Sequence, residues 1–226
     1  GAPYIAGFRA KADKSDGMFR RVAATGFPVS MQMTFETASF SGSAIMAGWI
    51  GAVSLAAFQI VAISGMLGFC IYYSIGAAMA IPLSQAAGTG DRAAMRRTAW
   101  GGYHLILATM VLVSALFTLG GSHIMGLFSS DPAVIGLAVT LIVPLVLYQF
   151  GDATQISFAN ALRGTSHVMP MLYIAFVSYI VIGLPCTYLL AFPAGLGLYG
   201  IVLSFSVCLL VAAVLYLYFF LRATRK

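Results

Sequence analysis

Six runs of about 20 apolar residues constrain this chain more than any other feature, because each matches the roughly 30 Å of a bilayer's hydrocarbon core. They lie near Val22–Gly48, Leu55–Leu83, Thr98–Gly120, Ala133–Ala159, Val168–Phe192 and Leu198–Leu221. Lipid offers no partner for free backbone groups, and none of the runs alternates like a barrel strand, so all six are expected to be helices. Composition agrees: 61% of the chain is apolar, 8% is charged and mean hydropathy is +0.96. A water-soluble domain of this length has no interior large enough for that much apolar surface. The expected architecture is an all-α integral membrane protein, divided into a basic lead-in (1–21), a six-span lobe (22–221) and a basic tail (222–226).

The basic residues orient the spans. Arg9, Lys11, Lys14, Arg20 and Arg21 precede the first, and Arg92, Arg96 and Arg97 lie between the second and third. Arg163 follows the fourth, while Arg222, Arg225 and Lys226 follow the sixth. These are all twelve Lys and Arg residues, and every one falls on the same side. The positive-inside rule then puts both termini in the cytoplasm. The net charge of +6 is topological, with no folded polar domain to form a nucleic-acid surface. The chain begins Gly-Ala, and residues 1–21 lack signal-peptide order, as expected of a linker belonging to something longer.

Cys70, Cys186 and Cys208 all fall in apolar runs and are expected to be small buried side chains outside any disulfide framework. His104, His123 and His167 are scattered, no metal-ligand spacing occurs, and nothing has the form of a nucleotide-binding loop. GTGDR, Gly88–Arg92, fits a tight turn between spans better than a phosphate cradle. No cofactor and no enzymatic nucleophile are expected.

The acids carry the functional signal. Asp13, Asp16 and Asp91 sit in solvated segments, and Asp131 precedes Pro132 where it can cap the fourth span. Glu36 and Asp152 are different. At about 1.5 Å per residue they lie roughly 22 Å and 16 Å in from Arg21 and Arg163, well inside the membrane. An acid at that depth costs on the order of 2.5–3.5 kcal/mol on insertion scales, which implies a use for it. Gln32, Glu36, Ser39 and Ser43 recur along one helix face with Phe40 adjoining; Tyr148, Asp152 and Gln155 form a second stripe. Together the stripes suit a cavity holding a hard monovalent cation, or protons shared between coupled acids. The plainer alternative is that each acid is protonated and hydrogen-bonded as interhelical glue.

Four stretches give the chain a family likeness. They are GFPVSMQMTFETASFSGSAIMAGWIGAVSLAAFQI (Gly26–Ile60), AIPLSQAAGTGDRAAMRR (Ala80–Arg97), YQFGDATQISFANALRG (Tyr148–Gly164) and GLPCTYLLAF with GLGLYGI (Gly183–Ile201). From about Arg20 to its end the chain resembles the C-terminal half of the multidrug and toxic compound extrusion (MATE) transporters. One departure is Thr165-Ser166-His167 after LRG, where the family often has glycine, aspartate and a small residue. The resemblance implies one six-helix lobe of a twelve-helix, two-lobe antiporter in a bacterial inner membrane. Such a protein exports small, cationic, amphipathic organic compounds in exchange for Na⁺ or H⁺. It also implies a cation site at Glu36, Asp152 and Tyr148, the only place a metal ion (Na⁺) would sit. Gln32, Phe40, Gln59 and Tyr173 would approach the substrate cavity. The implied partners are membrane lipid and a missing N-terminal lobe or a second copy, with no nucleic acid.

Two rivals stand beside this. A lipid-linked oligosaccharide flippase of the same superfamily would need basic residues inside its cavity for pyrophosphate, and every Lys and Arg lies outside the apolar runs. A non-transporting membrane scaffold would use its acids structurally, so that Glu36→Gln and Asp152→Asn would change no binding and would raise stability.

Overall fold

The computed structural model describes residues 17–165 and 168–225. Most of the expected lead-in, together with Ser166, His167 and Lys226, lies outside the described residues. Among those described there is no strand. Helix α1 spans Met18–Ile50, α2 Ala52–Thr89 and α3 Arg92–Gly126. Helices α4 (Pro132–Thr140) and α5 (Ile142–Gly164) make a bent pair. Helix α6 (Met169–Ala175) runs through a π-helical stretch, Phe176–Gly183, into α7 (Leu184–Ala191), and α8 spans Gly197–Ala223. The result is a six-helix membrane lobe.

Helices α2, α3 and α8 and the Met169–Ala191 unit are long and apolar enough to cross a membrane, and the α4–α5 pair makes a fifth such unit. Helix α1 is not among them, although its 33 residues extend about 50 Å. Its polar stripe lowers its hydropathy and turns inward: Gln32, Ser39 and Ser43 are all buried.

Proline sets the breaks that matter for the site. Pro144 has no N–H to offer the carbonyl of Thr140, one turn back, and α4 and α5 meet there at 53°. Pro185 likewise leaves the carbonyl of Val181 without its helical donor, and the chain before it takes the wider π geometry. Capping follows the sequence. Asp91 accepts from the Ala94 amide at 2.9 Å, just after Gly90 closes the GTGDR turn at φ 73°. Asp131 accepts from Ala133 N–H at 2.9 Å.

Helix α5 is the centre of the lobe, packed against α2, α3 and α8, whereas α1 lies at the side, against α2, α6, the π stretch and α8. The start of α3 and the end of α8 meet. Arg96 at the start of α3 donates to the Thr224 side chain and carbonyl at the end of α8, at 3.2 and 3.0 Å. The end of α5 at Gly164 abuts Ala80 and Leu83 near the end of α2. The cysteines correct one expectation: Cys208 is buried, but Cys186 is only half-buried and Cys70 is exposed. In a membrane lobe the outer surface is as apolar as the core, so an apolar run does not tell the two apart. All three thiols are free.

Candidate cation chamber

Between α1, α2 and α5 the lobe opens into a chamber of about 400 Å³. Glu36 and Phe40 line it from α1, Gln59 and Met66 from α2, and Tyr148 from α5. Four sequence-derived candidates therefore share one cavity. Phe40 stacks on Phe205 of α8 with ring centroids 4.4 Å apart, and meets Tyr148 edge-on at 6.4 Å. The wall holding the carboxylate is thus fixed from behind by aromatic packing, worth about 0.5–1.5 kcal/mol per pair beyond area burial.

Asp152 lies one turn beyond Tyr148 and is 1% exposed. It is within electrostatic reach of Glu36, which is half-buried at the chamber wall. Among the described residues Asp152 Oδ2 has no hydrogen-bond partner, and neither has Gln155 Oε1. An acid serving as interhelical glue would have its oxygens bonded. Buried oxygens without a protein partner are atoms available as ligands to a cation.

Tyr148 is seated by a glycine. A Cβ on Gly65 of α2 would stand 2.8 Å from Tyr148 Cε1, so only glycine lets the phenol lie flat against that helix. One turn on, a Cβ on Gly68 would meet Gln149 Oε1 at 2.5 Å, and both amide atoms of Gln149 are buried without partners among the described residues.

The remaining candidates are placed differently. Gln32 is buried below the chamber, beside a small void that it lines together with Glu36, Gln155 and Arg163. Tyr173 on α6 is 63% exposed and is not part of the chamber lining. Among the described residues no cluster of three His, Cys, Asp or Glu side chains forms a metal site.

Arg163 overturns one premise drawn from the sequence, that all basic residues lie outside the spans. Helix α5 continues to Gly164, and the half-buried Arg163 side chain reaches α1 and α2. Its Nη2 donates to Gln32 Oε1 at 3.1 Å and its Nη1 to the Tyr73 hydroxyl at 3.1 Å, with the guanidinium 5.7 Å from the Tyr73 ring centroid. The signal was present: Asp152 and Arg163 are eleven residues apart, three turns along one helix face. A lone interior arginine still gives the flippase little support, since pyrophosphate would also meet the two carboxylates.

Tyr179 was not singled out in the sequence. It is fully buried in the π stretch, with its hydroxyl beside the Glu36 carboxylate. Only Pro185, six residues on, hinted at irregular backbone there.

Comparison with known proteins agrees with the fold. The family model described as MatE matches residues 28–189. A probable multidrug resistance protein NorM of Xanthomonas axonopodis pv. citri is 34% identical over 161 residues, covering 71% of this chain and 35% of that protein. The corresponding NorM of Mannheimia succiniciproducens is 32% identical over 197 residues, 85% of this chain and 42% of that protein. In fold the chain is similar to the crystal structure of the eukaryotic MATE transporter AtDTX14, with TM-score 0.87 and 21% identity. That match covers all of this chain and 52% of the transporter chain. The chain therefore spans about half the length of that solved structure, and less of the curated relatives.

Proposed function

From the premise that the chain belongs to the MATE family, whose members are transporters and not enzymes, we propose that it is the C-terminal lobe of a cation-coupled multidrug antiporter. Glu36, Asp152 and Tyr148 bind the coupling ion, Na⁺ or H⁺. The organic cation occupies the same chamber, against the aromatic wall of Phe40 and beside Gln59. The observation that carries this is one open chamber joining a carboxylate to an aromatic cluster, with a second, buried carboxylate behind it.

Exchange follows from competition for one field. Two negative charges in a poorly solvated wall attract either a small cation or the organic one, and binding either weakens the attraction for the other. Alternating access needs only that the two ligands favour different states of the cavity, each shifting the population by its differential affinity. No bond is made or broken. A second lobe, on another chain segment or a second copy, closes the cavity. The protein resides in a bacterial inner membrane with its basic end, and so both termini, in the cytoplasm.

The test is an intrinsic fluorescence titration with Na⁺ at constant ionic strength, with Trp49 and Trp100 as reporters. Wild type is expected to give a saturable response that weakens at low pH. Glu36→Gln and Asp152→Asn are each expected to abolish it. A response that survives both substitutions would remove the carboxylates from the mechanism and favour the scaffold.

A further inference from the structure

We propose that Arg163 is a resident counter-cation of the carboxylate chamber, permanently offsetting one of its two negative charges so that a single monovalent cation completes the balance. This rests on the cation-site reading above and adds the charge that sets the site's valence and affinity.

The placement is built from three helices. Gln32 of α1 and Tyr73 of α2 hold the two ends of the guanidinium, each by a 3.1 Å hydrogen bond. Neither tether is charged, so Arg163 keeps its full positive charge free to act on its surroundings. Arg163 and Glu36 line the same void of about 10 Å³, roughly the room one water needs. Gln155 lines it too. The guanidinium Nε is buried and has no partner among the described residues.

An arginine merely ending a span at the lipid headgroups would extend outward to water. This one is drawn inward and fastened toward Glu36, on which its charge acts directly. The titratable groups its charge reaches are Glu36 from α1 and Tyr216 from α8, with Tyr73 of α2 on its Nη1; Asp152 of α5 and Tyr179 of the π stretch act in turn on Glu36. With the phenols neutral and both carboxylates ionised around a bound cation, one guanidinium leaves one negative charge for that cation to balance.

Charge also dictates a ratio that packing would not. The repulsion between Arg163 and a bound ion scales with the ion's charge. Removing it should therefore tighten a divalent ion by the square of the factor gained by a monovalent one.

The experiment is the same fluorescence titration on the full chain, with Na⁺ and with Ca²⁺, for wild type, Arg163→Gln and Arg163→Lys. Arg163→Gln is expected to bind Na⁺ about tenfold more tightly and Ca²⁺ about a hundredfold more tightly, by the Coulombic scaling just given. Arg163→Lys is expected to stay near wild type for both. Affinities that stay unchanged in Arg163→Gln, or fall equally in both variants, would overturn the proposal while leaving the cation site standing.

Should wild type show no response to either ion, the cation-site reading fails. Arg163 is then decided by a double-mutant cycle in thermal unfolding, using Glu36→Gln, Arg163→Gln and their combination. Coupled charges predict a double variant that unfolds closer to wild type than the summed single shifts; additivity would overturn the partnership.

Discussion

Helix α1 brings Glu36 to the chamber wall, whereas helix α5 buries Asp152 one turn beyond the lining residue Tyr148, so the two acids have opposite settings. Asp152 sits on the helix at the centre of the lobe and is 1% exposed, whereas Glu36 sits on a lateral helix and forms part of an open wall. The two carboxylates are therefore unequal partners. Under the cation-site proposal, the buried one sets the charge of the site once a cation is bound. Under the same proposal, the wall carboxylate is the one that an incoming ion or organic cation meets. A reversed charge separates them most sharply. Asp152→Lys places an ammonium where no water reaches and is expected to prevent recovery of folded protein, since an unpaired buried charge costs several kcal/mol. Glu36→Lys can reach into the chamber and is expected to fold while losing the Na⁺ response. Size-exclusion profiles in detergent decide it, and equal recovery of the two variants would erase the distinction. Neutral substitution extends the contrast to stability. Asp152→Asn is expected to raise the unfolding temperature by a few degrees because it removes a desolvated charge, and Glu36→Gln to move it by less than about one degree.

The next contrast lies between two glycines, and its effect is smaller. Gly65 has Tyr148 where its Cβ would be, while Gly101 on α3 has open space around it. Gly65→Ala is expected to push the phenol off α2 and weaken Na⁺ binding about tenfold, leaving the aspartate in place. Gly101→Ala fills nothing and is expected to stabilise by about 0.5–1 kcal/mol through helix propensity alone. Na⁺ titration and thermal unfolding of the two variants separate the effects. Unchanged Na⁺ affinity in Gly65→Ala would mean that Tyr148 is not a ligand.

How much of this was legible in the sequence differs by feature, for physical reasons. Long apolar runs and two carboxylates on polar stripes stand out because lipid penalises polarity so heavily. Gln32, Ser39 and Ser43 turned inward as their helical spacing required. The cap at Asp131 was equally plain, since capping is local chemistry; the cap at Asp91 was not read from its solvated turn. What stayed hidden depends on distant partners. Arg163 meets Tyr73 and Gln32 across 90 and 131 residues. Assigned by loop position alone, it passes for a surface charge. The exposure of Cys70 was hidden because lipid-facing and core-facing positions have the same apolar composition. The seat of Tyr148 needs Gly65 on another helix, and neither residue announces the other.

The smallest expected effect belongs to the pair Gln59 and Tyr173, both exposed and both assigned to the substrate cavity by family resemblance. Gln59 lines the chamber with Glu36, whereas Tyr173 is exposed on a different helix and is not part of that lining. Neither lies against the buried carboxylate, so Gln59→Ala and Tyr173→Ala should each keep Na⁺ affinity within about twofold, the range of surface substitutions. They part company over the organic cation. Displacement of a fluorescent aromatic cation should weaken several-fold in Gln59→Ala and remain unchanged in Tyr173→Ala when the lobe is studied alone. Repeating the measurement with a second lobe present asks what the exposed face of Tyr173 meets. A loss that appears only then would make Tyr173 a residue of the interface between lobes, completing a wall that the isolated chamber does not possess.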